Sequence, residues 1–565
     1  MVCLERARLG LVASALWLAL LACGSENLGT GGTNGPSAGA SGNLGATGST
    51  GAGGGSNPGA SGNLGATGST GAGGGSNPGA SGGSAATSTG GSTTGRSATA
   101  TAGSSGAGDA GNVDGGTTAG SGGAGGSGGA TGGGQEGGTG GTPLGDGGIG
   151  VPACPAAGLA GAGHVHISKS GTSFTMTRDG VLYYVNGIAG GANLDIAQRS
   201  GANSIRSFSS GGAQALLDTA ASHCMTVLLG IDLSNVPADY TNATFLAAKR
   251  AEVANLLATI KNHPALLTWA VGNEIQLAAG NDNQTSVGFV QELAQTIHQQ
   301  DPNHPVITAV AGANTTFLNH LVQWAPALDA LGINTYASVV TVNADVARST
   351  YTGPILVTEW GPTGWWEAPM TSWGRPIEQT SGEKARVYQS RYEAFAHTGR
   401  VLGNDVFLWG QKIENTPTWF GMFLETNADL GISGESLPTV DTMALDWSGA
   451  YPVNRAPDVT GLTLGGGTAT DNVTLTAGQT VPAVVTAREP DGDTMSYVWE
   501  ILQDPSQATS NMGETRKPRV GNPQKGTAAT LNVTAPTTAG QYRLFVYVLD
   551  GKGHAGTANI PFRLN

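Results

Sequence analysis

Two glutamates stand at positions suited to acid and nucleophile chemistry. Glu274 lies in the run Trp269-Ala-Val-Gly-Asn-Glu-Ile275, and Glu359 lies in Ile355-Leu-Val-Thr-Glu-Trp-Gly361, 85 positions further on. Each run reads as a short buried strand that delivers one carboxylate at its end. Two carboxylates facing each other across a small gap can cleave a glycosidic bond. One protonates the leaving oxygen, and the other attacks the sugar carbon or activates water against it. Such a pair must split into one protonated and one ionised group near neutral pH, which mutual repulsion and unequal surroundings can arrange. Either glutamate alone would read as a surface ion-pair partner; the two together, each ending an apolar run, point to the chemistry.

The elements that must position them are legible between about Pro152 and Tyr451, where short β-rich runs alternate with helical stretches. Eight runs can be counted: Val181–Gly187, Asn203–Phe208, Met225–Ile231, Leu266–Gly272, Pro305–Val310, Leu331–Tyr336, Pro354–Thr358 and Asp405–Trp409. Between them, Leu246, Val253, Leu257 and Ile260 share a helical face that Asn262-His263-Pro264 ends, and Val290, Leu293, Ala294 and Ile297 share another. The expected fold class is α/β, with residues 151–453 forming a (β/α)8 TIM barrel whose active residues sit at the C-terminal ends of its strands. Glu274 and Glu359 then fall on the fourth and seventh strands. An open doubly wound sheet is the alternative, but Asn186-Gly-Ile-Ala-Gly-Gly191 only loosely approximates its phosphate loop.

Gly272-Asn273-Glu274, Asn334-Thr-Tyr336, Glu359-Trp360 and Trp409 at the expected ends of strands four, six, seven and eight resemble the retaining glycoside hydrolases of clan A. The family 2 barrel is the nearest in flavour, with a His-Pro turn before a Trp-containing strand, as in His263-Pro264 and Trp269. The sugar-binding and immunoglobulin-like domains that precede that barrel are not seen here. The Gly-Asn-Glu element also resembles the β-1,3-glucanosyltransferases, which typically have Tyr where Trp360 stands.

The resemblance implies roles. Glu274 would be the acid/base and Glu359 the nucleophile, with the carboxyls about 5 Å apart across adjacent strand ends. Asn273 would bond the sugar 2-hydroxyl, while Arg206 and Tyr336 would keep Glu359 ionised. Nine of the eleven tryptophans lie between Trp269 and Trp447. Trp360, Trp365, Trp366 and Trp409 follow or end the expected strands seven and eight, where flat faces could stack on sugar rings or simply pack the core. Trp409 is the expected sugar platform.

The ends of the chain add context. Residues 1–22, with Arg6 and Arg8 before an apolar run ending in Leu20-Leu21-Ala22-Cys23, resemble a bacterial lipoprotein signal with Cys23 as the lipidated residue. The expected location is outside the cytoplasm, anchored by lipid at the outer membrane or cell surface. Residues 23–150 are Gly, Ser, Ala and Thr with a duplicated block, Ser41–Ala60 recurring at Ser61–Ala80. They lack the apolar surface to offset ordering entropy and read as a disordered tether. Cys154 and Cys224 remain for a disulfide in an oxidising setting.

A net charge of −13 argues against a nucleic-acid partner. Residues 454–565 alternate Val and Thr between Gly, Asp and Pro turns, as in an immunoglobulin or cadherin-like β-sandwich. There Glu489-Pro-Asp-Gly-Asp493 with Asp550 reads as plain turns, or as a structural Ca²⁺ site. Otherwise neither cofactor nor metal is expected, and the partner is a carbohydrate, with β-glucan the first guess. A transglycosylase and a non-catalytic carbohydrate-binding lipoprotein are the alternative readings.

Overall fold

The computed structural model describes residue 154 and residues 158–504 and 515–565. The expected signal, Cys23 and the tether lie outside the described residues. The described chain opens with an antiparallel sheet of β1 (Val165–Ser170), β2 (Ser173–Arg178) and β3 (Val181–Leu182).

Eight parallel strands follow and close on themselves: β4 (Val185–Ala189), β5 (Ser204–Arg206), β6 (Thr226–Ile231), β7 (Leu266–Asn273), β8 (Val306–Ala311), β9 (Ala330–Asn334), β10 (Ile355–Trp360) and β11 (Val401–Val406). β11 pairs back onto β4, which makes this a (β/α)8 barrel. Its lower interior is filled by Val185, Leu228, Leu267, Ile307, Leu356 and Leu402, each from a different strand, and Val165 and Met176 of the first sheet cap that layer. The helices pack outside. In Ala243–Ile260 the Asn242 side chain caps the first turn, accepting from Thr244 N at 3.0 Å, and Val253, Leu256, Leu257 and Ile260 are buried.

Two strand expectations are corrected. Val181–Gly187 straddles β3 and β4, with Tyr183 and Tyr184 between them. The eighth strand begins four residues before the expected Asp405 and ends at Val406, so Trp409 lies beyond it. The aromatic-rich stretch after the strand had the look of the strand itself.

Cys154 and Cys224 are disulfide-bonded, enclosing a separation of 70 residues that includes the first sheet and the first two barrel strands. Closing a loop of this size restricts the unfolded chain. Cys224→Ser is expected to cost roughly 2–4 kcal/mol in a urea unfolding titration, and to make the protein insensitive to dithiothreitol.

The last hundred residues form two packed sheets. One holds β12 (Asp458–Leu464), β14 (Thr480–Arg488) and β17 (Thr530–Thr534); the other holds β13 (Thr474–Leu475), β15 (Ser496–Gln503), β16 (Arg519–Gly526), β18 (Gly540–Leu549) and β19 (Ala555–Leu564). Val459, Val485, Trp499, Val546 and Ile560 lie in the core between them. The other face of the five-stranded sheet is also covered: Val498, Leu502, Phe545 and Tyr547 pack on Leu424, Leu430, Ile432 and Leu437 of the segment that follows β11. Burial on both faces explains why β18 reads as an almost unbroken apolar run.

Buried polar contacts reinforce this junction. Arg543 reaches Asp504, Asn559 and the Pro376 carbonyl, while Asp504 also accepts from Arg375. Glu378 accepts from Lys384, Thr416, Thr418 and Asn559. The sandwich is therefore built into the wall that carries the segment after β11.

In its acidic turns the carboxylates are engaged by backbone. Glu489 accepts from Asp491, Gly492 and Asp493 N–H groups, and Asp550 from those of Lys552 and His554. Among the described residues no group of three or more His, Cys, Asp or Glu side chains is arranged to hold a metal ion.

Candidate active site

Both glutamates reach the mouth of the barrel through irregular backbone. The β7–β8 pairing shifts register between Ala270 and Asn273, and the β10–β9 pairing shifts between Leu356 and Glu359. Such bulges re-aim side chains at strand ends. Gly272 has φ +81°, and an added Cβ would press on Ile275 at 3.2 Å. Glu274 itself adopts φ +51°, a conformation costly for a residue with a side chain and concentrated at functional sites. Its N–H donates to the Ala309 carbonyl at 2.8 Å, which holds the turn.

Glu359 is buried and Glu274 half-buried. Contrary to the expectation of adjacent strand ends, β8 and β9 stand between β7 and β10, and the carboxyls meet across the barrel mouth. Asn334, which ends β9, joins them. Its Nδ2 lies 2.9 Å from Glu274 Oε1 and 2.8 Å from Glu359 Oε1. Those two oxygens are therefore under about 6 Å apart.

Arg206, at the end of β5, donates from Nη1 to Glu359 Oε1 at 2.9 Å and to the Thr358 carbonyl. Its Nη2 donates to Asn273 Oδ1 at 2.7 Å. Tyr336 donates its hydroxyl to Glu359 Oε2 at 3.2 Å. Burial pushes the Glu359 carboxyl up to about 7; the Arg206 charge opposes this and the Glu274 charge adds to it.

The structure thus brings together Glu274, Glu359, Arg206, Asn273 and Tyr336. Asn273 has a different neighbourhood from the one expected, since its Oδ1 is taken by Arg206 and Asn334. Asn334, within the Asn334-Thr-Tyr336 element, is a site residue that residue type and spacing alone did not single out.

The glutamates line a cavity of about 450 Å³ with Asn334, Tyr336, Trp366, Glu367, Phe407 and Glu414 among its walls. Trp360 and Trp409 are not there. Trp360 is fully buried behind the strand, donating its indole N–H to Asn404 at 2.9 Å and packing on Tyr388 and Phe395. Trp409 is fully buried against Phe423 and Trp447. The reason is register: the two neighbours of an inward residue on a strand point outward, and the chain has left the strand by Trp409. The aromatic faces on the cavity belong to Trp366, 36% exposed and edge-on to Tyr336, and to Phe407, which directly follows β11. Trp365 contributes less directly, donating its indole N–H to Glu414 Oε1 at 2.9 Å.

Beneath this site sits a second acid. Asp405 on β11 is fully buried in the space left by Gly187 of β4, where any Cβ would lie 2.0 Å from its Oδ1. Among the described residues neither of its carboxylate oxygens accepts a hydrogen bond, and burial pushes its pKa up to about 7. The folded chain therefore holds this proton more tightly than the unfolded chain, and native stability falls as pH rises from about 4 through about 7. The stability difference between wild type and Asp405→Asn is expected to change by roughly 2–4 kcal/mol in the variant's favour between pH 4 and pH 8. Urea unfolding across that range measures it, and a flat difference would contradict the assignment.

Fold and site define a TIM barrel that presents, at the C-terminal ends of its strands, two carboxylates hydrogen-bonded to one asparagine amide. Residues 216–364 match the model of the family described as glycosyl hydrolases family 2, TIM barrel domain. A β-glucuronidase of Paenibacillus borealis is 25% identical over 146 residues, which cover 25% of this chain and 21% of that protein. Among solved structures, β-glucuronidase 2 of Bacteroides uniformis, covalently bound to cyclophellitol-6-carboxylate aziridine, is 14% identical with a TM-score of 0.39, over 70% of this chain and 47% of that one. The endo-β-1,4-mannanase of Thermotoga petrophila is 10% identical with a TM-score of 0.34, over 68% of this chain and 98% of that one. The chain spans about a fifth of the curated relative and about half of the first of these structures.

Proposed function

We propose that this protein is a retaining β-glycoside hydrolase that acts outside the cytoplasm on a poly- or oligosaccharide. The observation that carries this reading is the contact of one Asn334 amide nitrogen with both carboxylates, which keeps them within the separation that suits direct attack by one of them.

In the first step the Glu359 carboxylate attacks the anomeric carbon while Glu274 gives its proton to the departing glycosidic oxygen. The C–O bond to the leaving group breaks and an ester between sugar and Glu359 forms. In the second step Glu274 takes a proton from water, the water oxygen bonds to the anomeric carbon, and Glu359 leaves as a carboxylate. Arg206, Asn334 and Tyr336 donate to Glu359, favouring its ionised form against the pull of burial. Trp366 and Phe407 supply flat faces for the sugar rings.

The test incubates the full chain with β-glucans, mannans, xylans and galactans, a β-glucan first, and follows the reducing ends by proton NMR from the earliest times. The β-anomer appearing before the α-anomer is expected. An α-anomer appearing first would exclude the double displacement. Lipid anchoring is tested separately by palmitate labelling in a bacterial host, expected for wild type and lost in Cys23→Ser.

A further inference from the structure

We infer that the sugar in this cavity is uncharged, and that the cavity turns away glycosides of uronic acids; this rests on the glycosidase reading above. Beyond the two central glutamates the wall carries Asp345, Glu367 and Glu414, and Arg348 is the single cation among the described residues that line it. Arg348 is bound to Asp345 at 2.6 Å with its side chain 70% exposed, so it faces solvent and already has its counter-ion.

The cations just behind the wall are occupied as well. Arg206 is held by Glu359, Asn273 and the Thr358 carbonyl. Lys412 is buried and ion-paired with Glu414 Oε2 at 2.5 Å, while Glu414 Oε1 accepts from Trp365. Glu367 Oε2 accepts only neutral donors, the Ala337 and Gly364 N–H groups at 3.2 and 3.1 Å.

A sugar carboxylate would therefore enter a partly desolvated cavity among carboxylates, with Arg348, Arg206 and Lys412 each held by a carboxylate and Arg391 donating to the Gly361 carbonyl and the Thr363 hydroxyl. Like charges at a few ångströms in such surroundings repel strongly, and a built-in repulsion is an efficient way to exclude a competitor. A neutral sugar meets no such barrier. Its hydroxyls donate, which is what an excess of carboxylate oxygens accepts. Such a cavity differs from what the names of its β-glucuronidase relatives suggest, and Glu414 has a part in specificity because it neutralises Lys412.

The experiment compares p-nitrophenyl β-D-glucoside, galactoside, mannoside and glucuronide with the full chain, by turnover and by isothermal titration. The glucuronide is expected to show kcat/KM at least 100-fold below the best neutral glycoside and to bind correspondingly worse. In Glu414→Gln, which releases Lys412, the ratio of glucuronide to neutral turnover should rise about tenfold. A glucuronide that binds or turns over as well as the best neutral glycoside would overturn the inference. Absence of turnover throughout, with binding still selective for neutral sugars, would leave it standing and overturn the glycosidase reading instead.

Discussion

Replacing Glu359 by Gln is expected to lower kcat/KM on the order of 10⁴-fold or more for any β-glycoside, whereas Glu274→Gln should spare substrates with good leaving groups. The asymmetry follows from the two steps. An amide at position 359 cannot form the ester, so no choice of leaving group helps. An amide at position 274 cannot protonate the departing oxygen, but a dinitrophenolate needs little protonation while an alkoxide needs a great deal. The Glu274→Gln loss should thus grow from small with dinitrophenyl glycosides to about 10²–10⁴-fold with alkyl glycosides. Steady-state kinetics over such a series reads both variants. Equal dependence on the leaving group in the two would exchange or void the roles. Thermal unfolding of each variant guards against a trivial loss of fold, since Glu359 is the buried partner of Arg206.

Asp504→Ala is expected to destabilise the whole protein by roughly 3–5 kcal/mol, seen as a lower midpoint in urea. Asp504 is the shared acceptor for Arg543, 1% exposed, and Arg375, also buried. Its removal leaves two guanidiniums without their charge partner in a place that water does not reach. The loss should reach catalysis too. Arg375 also donates to Asn415, beside Glu414 on the cavity wall, so kcat/KM should fall in protein that is still folded. A midpoint shift within experimental error would mean that the sandwich and barrel hold together through the apolar contacts of Leu424, Leu430 and Ile432 alone.

Much of this architecture is legible before folding. The alternation of short β-rich runs with helical faces belongs to local physics, so Leu266–Asn273, Val306–Ala311 and Ile355–Trp360 form within two residues of where periodicity puts them. The helix at 243–260 stops where His263-Pro264 forbids its continuation. Glu274 and Glu359 announce themselves because an acid ending an apolar run is unusual. The eighth strand was less legible. Its Gly403 and two polar residues weaken the strand pattern, and the aromatic stretch that follows has the stronger β composition.

The sequence by itself therefore determined the barrel, the strand number of each glutamate and the composition of a separate all-β module. Which side chains share the cavity was decided only by the tertiary structure. Phe407 and Trp409 share a parity, but β11 ends at Val406, so Phe407 still lines the cavity while Trp409 has turned into the core, and no local pattern specifies where that strand stops. Asn334 becomes the link between the two carboxylates only when β9 closes beside β10, bringing together residues 60 and 25 positions apart. Charge is likewise a property of the assembled wall. Glu414 and Lys412 are two letters apart in the chain, but their pairing acquires meaning from burial and from the acids that folding sets around them.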